Sequence, residues 1–482
     1  MPDIRDFLGK LPEDLEKAYD KIMDQINAQK GRAPEIARRA FLWVMCASRP
    51  LKPGMLVAAV CRDPTTRATD TFEIGINFVL EACHSLLFVD QSGDCRFAHI
   101  SFQEYLEARH YSNSQAHSVV GKICLRILCD PDKEDLCNLQ LSLSSVPENY
   151  DPWDDENILL YAVVSWPRHA RQHAKEGIDD RLQLLLQVFL GSPSESSSAF
   201  VRWYHLYHTY FRGRLLYRKY CLPPPSAPAY SIVLFGLNDI LGDWWISGLD
   251  ANLQNDRGES LLYIASAQGN LSAATMLLGR GATLDLQGGS QGTALQVASY
   301  IGQEAIVRLL LDHRANIDAQ AGHLGNALQA AAYTGEEAIV RILLERGANV
   351  NAQCGTYGNA LQAAACGGHQ GIIHLLLERG ADINAPGGYY GNALQASAHS
   401  GKETVVRLLL GRGADINALG GPLGNAPQAS AGNPLNTAWR NSHSDIVILL
   451  LKRGADSKAL DELTRTQFRE SLDLSLKYLE HS

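Results

Sequence analysis

The sequence lacks a phosphate-cradling loop. Its only Gly-Lys pairs are Gly9-Lys10, Gly121-Lys122 and Gly401-Lys402. None has a glycine five residues before its own Gly and none is followed by Ser or Thr, so G-x-x-x-x-G-K-[ST] is absent and nucleotide hydrolysis by that route is excluded. Long apolar runs are missing too: the densest, Phe41 to Ala47, is far short of a membrane span, and Met1 to Lys17 shows no basic stretch followed by an apolar one. The chain is therefore expected to be soluble and intracellular, in cytoplasm or nucleus, with no membrane contact. Ten cysteines are present, but with no C-x-x-C pair and no Cys/His array at zinc spacing. They read as reduced core thiols, and neither a metal nor a cofactor is expected. No G-x-S-x-G elbow and no Cys/His dyad offers a nucleophile, so the chain reads as a non-enzyme. Excess positive charge is lacking as well. Lys plus Arg is 43 against Asp plus Glu 52, a net charge of −9, which argues against a whole-chain polyanion binder.

Glycine, in contrast, is abundant: 41 residues against 19 prolines. Gly258, Gly292, Gly325, Gly358, Gly391 and Gly424 are spaced by 34 and then 33 residues, and Gly347, Gly380 and Gly413 keep the same 33. A fixed period of that size means a stacked solenoid. Each unit reads as a short helix, a tight turn, a longer helix and a Gly-rich loop. Asn326, Asn359, Asn392 and Asn425 are placed to cap the first helices, and Ala330, Ala331 and Ala332 let neighbouring helices approach. Gly347, Gly380 and Gly413 suit the left-handed residue that ends the second helix. No unit could bury its apolar face alone, so only the stack is stable.

At these residues the chain resembles the ankyrin-repeat family. Leu375-Leu376-Leu377-Glu378-Arg379-Gly380-Ala381-Asp382-Ile383-Asn384-Ala385 nearly matches the second half of the family pattern. Gly-Asn-Ala-Leu-Gln-Ala, at 325, 358 and 391, replaces its T-P-L-H-x-A. That variant is similar to repeats of large filamentous-fungal ankyrin proteins. It puts Asn and Gln where the family uses a Thr/His pair to link one repeat to the next. The register gives about seven repeats over 222–457, the first degenerate at Pro228 to Gly236. The last is offset by an eight-residue insertion and begins afresh at Asn433-Pro434. A polar helix over Asp461 to Glu480 is expected to cap the array within 458–482.

Before residue 222 the repeat is absent. Apolar spacing predicts a helix over Ala33 to Ala47, a second after Pro53 and a third over about Thr71 to Ser85. Strands at Leu86 to Asp90 and Cys95 to Ile100 follow, joined by the turn Gln91 to Asp94, and Ser101 with Glu104 reads as a capping box. Three helices and a hairpin outline a winged helix over 1–115. Leu11-Pro12-Glu13-Asp14-Leu15, Phe41-Leu42-Trp43-Val44 and Arg96-Phe97-Ala98-His99-Ile100-Ser101-Phe102-Gln103-Glu104 resemble the region after the NACHT domain in fungal STAND signalling proteins. That resemblance implies a phosphate contact for His99; the local reading is that His99 closes the strand-to-helix corner. The chain begins where the NTPase domain of such proteins would end. Residues 116–221 read as helices, with apolar stretches at Leu136 to Leu143 and Leu182 to Leu190. A Ser-rich linker is expected near 191–198.

Two sharper readings yield to blander ones. Phe200 to Tyr220 mixes five basic residues with eight aromatics and has no acid, a composition that grips single-stranded nucleic acid. It is read instead as a helix with a packed aromatic face. His169 and His173, at a spacing able to share a metal, have no H-E-x-x-H frame. The fold class is thus mainly α, an ankyrin solenoid after a winged-helix and helical region. The resemblance implies a concave face that binds a protein partner, and Tyr357, Tyr389, Tyr390 and His323 on the finger tips are candidate anchors. The same residues could pack tip to tip. From Gln287 to Gln428 there are 8 basic and 10 acidic residues, so no direct sequence-specific nucleic-acid contact is expected. The functional expectation is a regulatory adaptor, such as a transcription co-regulator working through a DNA-binding partner. The alternative is a truncated or accessory NACHT/STAND member.

Overall fold

A computed structural model describes residues 13–62, 74–129, 157–173, 179–211, 227–255, 257–418 and 434–456. The chain divides into two compact units between Leu249 and Asp250.

The first unit opens with α1 (Glu13–Asn27), α2 (Ala33–Cys46), α3 (Pro53–Val60) and α4 (Ile76–Ala82). Pro53 starts α3, where a missing N–H costs nothing and a fixed φ suits the first turn. Strands β1 (Leu87–Val89) and β2 (Cys95–Phe97) pair antiparallel with Leu87 opposite Phe97. Asp90 Oδ1 closes their turn by accepting N–H bonds from Ser92 and Asp94, both at 2.9 Å. Helix α5 (Ile100–Arg109) follows, so helices, hairpin and helix arrive in the expected order. The third helix is shorter than its predicted span, and residues 63–73 lie outside the described ones. The capping expectation needs correction. His99, not Ser101, is the N-cap of α5, its Nδ1 accepting the Ser101 N–H at 3.1 Å. Ser101 lies inside the helix, its hydroxyl 2.7 Å from Tyr19 Oη. An aromatic core holds the module: Phe102 meets Phe41 and Tyr19 edge-on, with ring centres 5.2 Å apart in both pairs, a favoured geometry for buried rings.

Helices α6 (Asn113–Cys129), α7 (Ile158–His173), α8 (Asp180–Leu190) and α9 (Ser198–Phe211) complete a helical layer. The segment Leu136 to Leu143 lies outside the described residues. The stretch expected as a linker is a closed turn: Gly191 and Ser196 form a bridge, and Ser197 Oγ accepts the Phe200 N–H at 3.0 Å to start α9. Pro167 sits inside α7 and has no N–H to donate four residues back. The Val163 carbonyl left over accepts the Trp203 indole N–H at 2.9 Å. Trp203 and Trp166 pack edge-to-face at 5.5 Å. Helix α10 (Pro228–Phe235), read as the first repeat, packs in this unit; its Phe235 ring lies 6.0 Å from Trp166. Helix α11 (Asn238–Leu241) and a 3₁₀ turn over Gly242–Ile246 follow.

Asp179 caps α8 and receives the Lys122 ammonium at 2.6 Å and the Ser118 hydroxyl at 2.5 Å. Burial pushes its carboxyl up, but the Lys122, Ser118 and Leu182 hydrogen bonds outweigh that and hold it well below the carboxylate range. A depressed folded-state value means the contribution is fully present above about pH 4 and is lost as pH falls further. Lys122→Met should therefore lower the urea midpoint at pH 7 and change it less at pH 3. An equal loss at both values would contradict this assignment.

The second unit is a two-layer stack of helix pairs. They are α12 (Leu261–Gln268) with α13 (Leu271–Gly279), α14 (Ala294–Ile301) with α15 (Glu304–Asp312), α16 (Ala327–Thr334) with α17 (Glu337–Glu345), α18 (Ala360–Gly367) with α19 (Gln370–Glu378), α20 (Ala393–His399) with α21 (Glu403–Gly411), and α22 (Pro434–Arg440) with α23 (Ser444–Lys452). First helices stack on first helices and second on second along the whole series. Ile372, Ile373, Leu375 and Leu376 are buried as the stripe requires. Glu304–Arg308, Glu337–Arg341 and Glu403–Arg407 pair at i, i+4 on the outer layer. The expected cap over Asp461 to Glu480 lies outside the described residues.

A candidate partner-binding face on the helical stack

The variant motif explains how the units are clasped. Asn326, Asn359 and Asn392 each accept the N–H of the glutamine three residues on, at 2.9, 2.9 and 2.8 Å. The caps leave each glutamine amide free to reach the following finger. Gln329 Nε2 donates to Ala352 O (3.2 Å) and Gly358 O (2.8 Å), and Gln362 Nε2 to Ala385 O (2.8 Å) and Gly391 O (3.2 Å). The glutamine, oriented by its capping asparagine, thus makes the inter-repeat link at the place where the family pattern has a Thr/His pair. Gln329→Leu keeps the bulk and removes the donors. It should destabilise the array by about 2 kcal/mol, because buried carbonyls without a donor cost about 1–3 kcal/mol. Chemical denaturation followed by circular dichroism checks the value.

A second ladder runs through the fingers. The N–H groups of Asn316, Asn349, Asp382 and Asp415 bond to side-chain oxygens of Asp285, Asp318, Asn351 and Asn384, in each case 31 residues earlier. Asp456 repeats the bond to Asn417 at 2.9 Å across 39 residues. Likewise His369 Nε2 lies 3.0 Å from Tyr333 O across 36 residues, and His443 Nε2 lies 2.9 Å from His399 O across 44. Both bonds are eight residues longer at the last pair, with the stacking unchanged.

The fingers carry the candidate anchors. Each closes as a hairpin, with bridges Gly288–Gly292, Ala321–Gly325, Cys354–Gly358 and Gly387–Gly391. Tip bonds to tip: Thr356 N–H donates to His323 O at 2.8 Å and Tyr389 N–H to Thr356 O at 2.6 Å. The exposed His323 places Nδ1 2.8 Å from Ser290 O. Tyr357 stacks on Tyr333 (ring centres 4.6 Å) and faces Tyr390 (6.1 Å), which meets His399 at 4.8 Å. Tyr389 stands edge-on to Tyr390 at 5.0 Å and is 54% exposed. The structure therefore brings Tyr357, Tyr389 and Tyr390 into one aromatic row and leaves His323 on the preceding tip. The fourth tip, 419–423, lies outside the described residues.

Sequence reasoning missed the wall behind that row. Tyr300, Tyr333, Cys366 and His399 recur at 33-residue spacing at the ends of first helices, and none is fully buried. The same period that located the glycines would have found them. Cys366 Sγ lies 3.1 Å from Ser400 Oγ. Burial pushes the Tyr390 phenol up to about 12, and burial with Tyr333 raises Tyr357 further. Burial with His443 lowers His399. Tyr357 and Tyr390 accordingly keep their phenol O–H groups at pH 7.

The sharper candidates of the first unit resolve differently. His99 is occupied as the α5 cap. In α9, Phe200, Trp203, Tyr204 and Tyr207 are buried, while Arg202 donates to Leu128 O (3.3 Å) and Cys129 O (3.2 Å) instead of facing water. Residues 212–220 lie outside the described ones. His169 is fully buried and turns to His117; nothing is described of the His173 side chain. No helix among the described residues is long and apolar enough to cross a membrane.

Ankyrin-repeat models match residues 232–321 and 320–387, and a single-repeat model matches 392–420. A model described as the winged-helix domain of GPI inositol-deacylase matches residues 23–117. Among solved structures, the crystal structure of the human ASB11 ankyrin repeat domain is similar at 24% identity, covering 46% of this chain and 97% of that one with a TM-score of 0.39. No curated protein matches the chain.

Proposed function

We propose that this chain, which carries ankyrin repeats and an N-terminal winged-helix domain of the GPI inositol-deacylase type, is a non-enzymatic adaptor that grips a protein partner on its tyrosine row. The observation that carries the reading is the alignment of Tyr333, Tyr357 and Tyr390 along the array, ending in the exposed Tyr389. Tyrosine offers large rigid contact area and a phenol hydroxyl at low entropic cost. Buried aromatic anchors of this kind hold most of the energy of protein interfaces. A regulatory role follows from holding a partner without acting on it. Working through a DNA-binding partner, as a transcription co-regulator, fits the slightly acidic array, which offers no phosphate footprint.

Quantitative capture of partners by the full chain, wild type against Tyr389→Ala, tests the reading. Loss of this exposed aromatic anchor should weaken the specific partner by about 2 kcal/mol or more, roughly thirtyfold. The urea midpoint should stay within error, since Tyr389 is exposed. Recovery of the same partners in the same amounts would overturn the assignment of the face. Tight binding of a defined DNA site by the purified chain at about 150 mM salt would overturn the indirect role.

The winged-helix match over 23–117 favours a second reading, an accessory of NACHT/STAND signalling. Full-length transcript sequencing separates the two: an in-frame Walker A segment upstream moves the reading to nucleotide-controlled signalling.

A further inference from the structure

The first unit buries three metal-ligating side chains that the proposed adaptor role does not use. Cys46 ends α2, His117 lies in α6 and His169 in α7, with exposures of 3, 5 and 0%. One ligand atom from each falls within 4.8 Å of the others. The Nδ1 atoms of His117 and His169 face each other at 2.8 Å. Two imidazole nitrogens sharing a tetrahedral zinc ion stand about 3.3 Å apart at the usual bond length of about 2.05 Å. The histidine pair therefore needs to open by only about half an ångström. The remaining nitrogen of His169, Nε2, lies 2.8 Å from Tyr161 Oη, which in turn accepts the Ser48 N–H at 3.4 Å. A partner on the far nitrogen is what fixes the tautomer and aim of a ligating histidine. A scan for zinc spacing along the chain does not reach this cluster, because its members stand on three separate helices.

We propose that Cys46, His117 and His169 form a binding site for one divalent transition-metal ion of the zinc class, which ties α2, α6 and α7 together. One thiolate and two imidazoles form a borderline-soft donor set of the kind zinc takes. As the metal–sulfur bond forms, the Cys46 thiol releases its proton to solvent; the imidazoles ligate through lone pairs, and nothing is oxidised or reduced. The fourth position falls to water. Full burial keeps substrates out and makes the role structural.

The experiment is elemental analysis of the full chain, produced without a polyhistidine tag and loaded with zinc before exhaustive dialysis. About one equivalent of zinc is expected. It should fall at least about tenfold in Cys46→Ala and in His169→Gln, since loss of groups that hold or orient a metal costs 10–100-fold in affinity. Cys83→Ala, a buried thiol in the winged helix, should retain the ion. Because core variants can fold poorly, cobalt(II) titration of metal-free wild type supplies a second readout. A thiolate-to-cobalt charge-transfer band at one equivalent supports the site. A folded wild-type chain that retains no zinc and shows no such band overturns it, as does full zinc retention in both ligand variants. Either result leaves the partner-binding reading untouched.

Discussion

Replacing Gly358 by alanine should destabilise the helical stack by about 2–5 kcal/mol. Two costs add. Gly358 has φ +88°, a left-handed conformation that costs an L-residue about 1–2 kcal/mol. An added Cβ would also sit 2.1 Å from Gln362 Oε1 and 2.8 Å from the Gly388 N. It would displace the glutamine that donates to Ala385 and Gly391, and leaving those carbonyls without a donor costs about 1–3 kcal/mol. Gly380→Ala separates the terms. Gly380 has nearly the same φ, +87°, and nothing within 4 Å of an added Cβ, so it should cost only the conformational part, about 1–2 kcal/mol. Urea denaturation of both variants decides. Equal losses would mean that the glutamine clasp contributes nothing.

Trp203→Ala should cost about 3–5 kcal/mol in the first unit, the range for emptying a large aromatic site. Trp203→Phe, which keeps most of the ring and removes the N–H, should cost about 2 kcal/mol because the Val163 carbonyl loses its donor. That carbonyl is available only because Pro167 has no N–H. Pro167→Ala restores a helical donor, so Trp203→Phe should cost less in a Pro167→Ala background. A coupling of about 1 kcal/mol is expected from groups that share one acceptor. Strict additivity in the double-mutant cycle would show that proline and indole are independent.

The stack was legible in the sequence because its signal is long-range and redundant. Glycines at fixed spacing, capping asparagines and the Leu375-to-Ala385 stretch all report one period. The winged-helix outline was legible from apolar spacing and the turn at residues 91–94. Failures came where a single side chain had a competing use. Ser101 has the sequence context of a cap, but α5 starts two residues earlier than such a cap implies, at Ile100, and His99 takes that role. The Ser-rich stretch near 191–198 has linker composition, yet Ser197 spends its hydroxyl opening α9. At the candidate face the tip tyrosines could be picked from their variable positions. Whether they stood free or stacked could not, because that depends on Tyr333 and His399, which belong to other helices. The Cys46–His117–His169 cluster left no linear trace at all.

The long bonds at the last helix pair carry one more consequence. Asn417 still reaches Asp456, and His443 still reaches His399, across eight additional residues. Chain length at that junction is therefore uncoupled from the pitch of the array, as in an expansion joint. For protein engineering the junction is a ready socket. A tag or a grafted recognition loop spliced between Ala418 and Pro434 should leave the aromatic row where it is, and the stack beyond it should assemble on the same two bonds.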